Sequence, residues 1–93
     1  MATIPLKPGT AWIEVEAVAE ADVLLTFKGY APILPVKVIK SGLVKHLFIS
    51  AKSLSTALEE MRKKNKNQFV GLRFRLKKES EEKMSPYIVE KIS

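Results

Sequence analysis

The amino-acid sequence predicts a mainly β domain with a single helix, in the order β-β-β-α-β-β. Three observations carry that expectation. Apolar and polar residues alternate with period two along Ala11–Val18 and again along Phe69–Lys77, as half-buried strands require. One stretch, Ala51 to Lys64, has the i, i+3, i+4, i+7 spacing of a helix with one buried stripe. Clusters of proline, glycine and serine punctuate the rest at intervals suited to short strands.

Each element follows in order. Lys7-Pro8-Gly9-Thr10 is a turn signal, and residues 1–9 before the first strand read as an N-terminal arm. From Ala11 the strand places Ile13, Val15 and Ala17 on one face and Glu14 and Glu16 on the other. Ala19 to Ala21 is irregular, and Val23 to Lys28 is extended again. The two runs form either one long bent strand or a hairpin, with the bent strand favoured. Gly29-Tyr30-Ala31-Pro32 breaks the pattern and reads as a loop. Ile33 to Lys40 resumes it with Pro35 inside, which suits an edge or a strand start better than a central position. Lys40-Ser41-Gly42 is a hairpin turn. Leu43 to Ile49 returns, but Leu43, Lys45, Leu47 and Ile49 share one side, and Val44, His46 and Phe48 the other, so its inner face stays open.

In the helix, Leu54, Ala57, Leu58 and Met61 form the buried stripe, and Ser50 or Ser53 is placed to cap it. Glu59 with Lys63 and Glu60 with Lys64 are i,i+4 pairs, and Arg62, Lys63 and Lys64 complement the helix dipole. Asn65-Lys66-Asn67 ends it. The next strand directs Leu72, Phe74 and Leu76 one way and Arg73, Arg75 and Lys77 the other. A charged loop from Lys78 to Ser85 leads to a last strand, Pro86 to Ile92.

Composition bounds the function. The 93 residues suit one domain spanning 1–93, and 46% hydrophobic residues suffice for a core. No apolar run approaches the ~18 residues of a membrane span, and residues 1–9 lack the layout of a secretory signal, so an intracellular, cytoplasmic protein without membrane contact is expected. Without cysteine there is no disulfide, no thiolate catalysis and no sulfur-ligated zinc, and one histidine, His46, cannot build a multi-histidine metal site. The net charge of +6 is segregated: Val23 to Lys78 holds thirteen bases and two acids, or +11, between more acidic ends.

Catalytic chemistry finds no foothold in this pattern. His46 lies in a strand without a nucleophile elbow, Glu14 and Glu16 fit a solvated strand face, and no phosphate-binding glycine loop occurs. A binding module without cofactor or metal is expected rather than an enzyme. The alternating Arg73, Arg75 and Lys77 can track a phosphate backbone, and single-strand binding pairs such cations with exposed aromatic rings. Tyr30, taken as a loop residue, and Trp12, on the face of Glu14 and Glu16, are the candidate platforms, while Phe27, Phe48, Phe69 and Phe74 read as core.

A bent first strand, a hairpin, a helix between the third and fourth strands and a closing pair make a chain that resembles the OB-fold single-stranded DNA-binding proteins of archaea and viruses. Leu6-Lys7-Pro8-Gly9, the segment Lys28 to Pro32, Leu47 to Leu54, Gly71 to Leu76 and Tyr87-Ile88-Val89 carry the resemblance. It implies a small five-stranded OB-like barrel with ligand contact on the face of strands two and three and in the first and last hairpin loops. Lys28, Tyr30, Lys37 and Lys45 then join Arg73, Arg75 and Lys77. The acidic Glu79, Glu81 and Glu82 in the last loop depart from that pattern. The expected partner is single-stranded DNA, or RNA by the same chemistry, read with low sequence specificity. The alternative is a protein-interaction or assembly module that uses exposed strand edges, including a homodimer.

Overall fold

The computed structural model describes residues 4–27, 29–82 and 85–92. Its elements are β1 (Ile4–Leu6), β2 (Ile13–Ala17), β3 (Asp22–Thr26), β4 (Gly29–Val38), β5 (Val44–Phe48), α1 (Lys52–Lys64), β6 (Arg73–Lys78) and β7 (Tyr87–Lys91). The strands form one seven-stranded sheet in the order β1-β5-β4-β2-β6-β7, with β3 also on β4. The fold is therefore mainly β with one helix.

Ten residues of β4 organise the sheet. One edge pairs antiparallel with β5, while the other pairs first with β3, through Asp22 opposite Ile33, and then with β2, through Ala17 opposite Val36. Residues 18–21 thus lie opposite only Leu34 and Pro35, and β2 and β3 are two parts of one bent strand, as favoured from the sequence. Pro35, expected at an edge, sits instead within this central strand. Its carbonyl accepts the Val18 N–H at 3.1 Å, so its nitrogen points to the interruption at 18–21, where no ladder donor is needed.

The expected small five-stranded OB-like barrel is not what forms: the sheet has seven strands and does not close. The far edge of β5 is occupied by β1, which pairs parallel to it with Leu6 opposite Leu47, and β7 ends the other side of the sheet. Leu6 of β1, Val15 and Ala17 of β2, Leu34 and Val36 of β4, Leu47 of β5, and Leu72, Phe74 and Leu76 around β6 enter a single core with Leu54 and Leu58 of α1. Part of the segment read as an N-terminal arm is thus a sheet strand with a buried leucine.

The helix packs as its spacing predicts, with Leu54 and Leu58 buried and Met61 partly so. Its capping differs. Ala51 occupies the N-cap position without a side-chain bond, and the Ser53 hydroxyl accepts the Tyr87 N–H at 3.1 Å, tying the helix start to β7. Glu59 pairs with Arg62 at i,i+3, where Arg62 Nε donates to Glu59 Oε2 at 3.1 Å. Lys66 and Asn67, at φ 58° and 59°, end the helix where the sequence placed its stop.

Strand β5 is buried on both sides at its centre, which explains its poor alternation. Leu47 faces the core, while His46 points outward but is covered, flanked by Pro5 and Pro35 in register and by the Phe48 ring edge-on at 5.2 Å between centroids. The two-residue connection after Thr26 closes on Gly29, whose φ of 109° favours glycine, and the Thr26 hydroxyl donates to the Gly29 carbonyl at 2.7 Å. Tyr30 therefore belongs to a strand, not a loop.

Leu58→Ala is expected to cost about 2–5 kcal/mol, from lost contacts and the residual cavity. Urea denaturation checks this, and a change below about 0.5 kcal/mol would contradict close packing of the helix on the sheet.

Candidate nucleic-acid interface

Strands β2, β6 and β7 present one outer face. Antiparallel register sets Glu14 opposite Arg75 and Glu16 opposite Arg73, with Glu90 on the far side of Arg75. The acids and bases compensate one another. Arg73 Nε donates to Glu16 Oε1 at 2.6 Å, and Arg75 Nε donates to Glu90 Oε1 at 2.8 Å, with a second bond from its Nη2. Lys37 stands opposite Glu16 from the β4 side, so Lys37, Glu16 and Arg73 make one cross-strand row. The row of bases expected to line a groove is thus largely an ion-paired surface, each exposed pair worth roughly 0.2–1 kcal/mol.

Lys77 differs. Among the described residues it has no carboxylate at ion-pair distance, and its Nζ lies 4.7 Å from the centroid of the Trp12 ring. The Arg75 guanidinium carbon lies 4.4 Å from the same centroid. Because Ile13 is opposite Leu76, Trp12 falls beside Lys77 on the outer face, where the negative face of the indole attracts both cations. A depression of about 180 Å³ adjoins it, lined by Trp12, Ile13, Glu14, Val38 and Lys40.

Of the predicted residues, then, Trp12, Arg75 and Lys77 come together, and Lys37 and Arg73 lie along the same face. Tyr30 does not join them. Along β4 it is seven residues from Lys37, about 23 Å at strand rise, and its side shares the parity of Leu34 and Val36 rather than that of Lys37. Lys45 is opposite Val36 and Ile4, on the core-side face. Lys28 lies outside the described residues. Phe27, expected in the core with Phe69 and Phe74, is instead almost wholly exposed at the hairpin tip, because the core does not reach that far. Lys40 is an addition: the Ile39 N–H to Glu14 carbonyl bond, at 3.0 Å, carries the turn to the Trp12 end of β2. Only the pairing of β2 with β4 reveals that neighbour.

The basic helix end is also partly committed. Arg62 binds Glu59, donates to the Asn67 carbonyl at 3.2 Å and lies 5.9 Å from the Phe69 ring centroid. Glu20, in the interruption between β2 and β3, accepts the N–H groups of Phe69 at 2.9 Å and Val70 at 3.0 Å. These bonds, the Phe69 one first, hold its carboxyl below the ordinary glutamate range, with a smaller contribution from Arg62.

No family model, curated protein or solved structure matches this chain.

The lowered Glu20 value fixes a pH dependence. Stability from this contact is fully present above the ordinary glutamate pKa and is lost as pH falls through the lower folded value. Denaturant midpoints measured across the acid range should therefore fall more steeply for the parent than for Glu20→Gln, and the two should draw together at the lowest pH. Parallel profiles would show that the carboxylate does not anchor the loop after the helix.

Proposed function

We propose that this chain is a binding module for single-stranded nucleic acid, read with low sequence specificity, and not an enzyme. The observation that carries the reading is the Trp12 ring backed by Arg75 and Lys77 on a partly exposed sheet face, with Lys40 at the adjoining depression. Single strands need both parts: cations that follow the phosphates and a ring on which an unstacked base can lie. A duplex keeps its base faces stacked and cannot use the ring. The +11 middle segment supports the reading through long-range attraction. The resemblance noted in the sequence is to OB-fold proteins that bind single-stranded DNA, which makes DNA the first ligand to test and RNA the second.

Lys77 and Lys40 are the phosphate contacts in this reading, since neither must leave a carboxylate to make one. Arg73 must leave Glu16, so it contributes little. Base stacking on Trp12 supplies the part of affinity that salt does not screen.

Anisotropy titrations with labelled single-stranded and duplex oligonucleotides, DNA and RNA, at several salt concentrations test this assignment. In folded variants, Trp12→Ala should lose about 1–3 kcal/mol with little change in salt slope. The pair Lys40→Ala and Lys77→Ala should flatten the slope by about 0.7 per lost contact, while Arg73→Ala leaves it near the parental value. Absence of binding by the parent at low salt, or equal slopes for parent and double-lysine variant, would remove the proposal.

A further inference from the structure

We propose that the β3–β4 hairpin joins two copies of this chain, by antiparallel pairing of β3 with β3 of a second copy. This surface is separate from the Trp12 face and does not depend on the function proposed for it. The hairpin exposes apolar side chains to an unusual degree: Val23 is 59% exposed, Leu25 66%, Phe27 98% and Tyr30 74%. Register sets Leu25 opposite Tyr30 and Val23 opposite Pro32, so these lie on one face, the continuation of the core side beyond the core.

The edge is built to pair. Among the described residues β3 has a strand partner on one side only. The Ile49 N–H bonds the Pro32 carbonyl and the Val18 N–H bonds the Pro35 carbonyl, which directs odd-numbered residues of β4 toward β3. Asp22, Leu24 and Thr26 therefore bond β4, and Val23 and Leu25 turn their backbone groups outward. The Val23 N–H is held by Asp22 Oδ1 at 2.8 Å. The Leu25 N–H and the Val23 carbonyl remain, and a two-fold axis through Leu24 sets each against the other in the second copy, making two equivalent hydrogen bonds. Edge strands are ordinarily blunted by charged residues, above all lysine, by proline or by a bulge, and in Asp22–Thr26 only Asp22, at the strand start, is of that kind.

Side chains and charge agree with that register. Each Leu25 comes to lie beside the second copy's Val23, extending the row of Tyr30 and Leu25 across the axis, and each Phe27 comes over the second copy's Ala21. Residues 22–32 contain one acid and one base, so the hairpin neither repels a copy of itself nor draws a polyanion. With an aromatic side chain presenting about 150–250 Å², the patch is on the order of 500 Å² per copy. Lateral contact along the new ladder covers only part of this patch, so the buried total stays below the roughly 1,000 Å² of a stable interface and association should be weak and dependent on concentration.

Sedimentation velocity of the full chain from about 1 μM to about 1 mM should show a monomer–dimer equilibrium. Leu25→Lys, at an exposed site, should raise the dimer dissociation constant at least about tenfold while keeping the parental melting temperature. Tyr30→Ser should weaken the dimer in the same direction. A parent that stays monomeric throughout overturns the proposal, as does a Leu25→Lys variant that dimerises like the parent. A monomeric parent whose oligonucleotide affinity falls on Tyr30→Ser would instead mark the hairpin as a nucleic-acid platform.

Discussion

Ten consecutive residues of β4 need hydrogen-bond partners along both edges, and the way those needs are met sets the shape of the rest. On one side β5 covers Ile33 to Lys37, and the Ile49 N–H reaches the Pro32 carbonyl. On the other a single strand does not suffice, because Pro35 offers no donor at its middle, and the partner chain leaves the ladder for residues 18–21 at that point. The departure divides β2 from β3 and brings Glu20 to the N–H groups of Phe69 and Val70, which tethers the segment after the helix to the β2–β3 connection. It also divides β4 by environment. Leu34 and Val36 are in the core, while Tyr30 and Pro32, on the same face, lie past the reach of α1 and β6.

Electrostatics follows from the same pairing. Glu14 and Glu16 on β2 alternate in step with Arg73 and Arg75 on β6, so opposite charges meet across the ladder. What looks like a cationic row along one strand is close to neutral once its neighbours are in place. At the margin of the sheet Lys77 has no carboxylate partner among the described residues, and attraction to the Trp12 indole holds it and the Glu90-paired Arg75 against the ring. That gathers cationic side chains around Trp12 at one end of the strands and leaves the other end, the hairpin, apolar.

Much of the local structure was legible in the sequence. The helix over residues 52–64, the inward sets Ile13, Val15, Ala17 and Leu72, Phe74, Leu76, the turn at Lys40-Ser41-Gly42 and the bent first strand all follow from periodicity and turn chemistry, which act between residues near one another in the chain. The association of Trp12 with the bases of β6 is half visible there, since alternation puts both on polar strand faces.

Tertiary structure decided which strands became neighbours, and so which charges cancel. A periodic pattern states the face a residue occupies but not the strand that comes to lie beside it, because pairing is chosen over many residues of separation by the shared core. For that reason the sequence by itself determined a mainly β domain with one helix and its candidate cations and rings. Only the fold separated Tyr30 from Arg73, sent Lys45 to the core side, filled the edge of β5 with β1 instead of closing a five-stranded barrel, and left Phe27 beyond the core it was expected to enter.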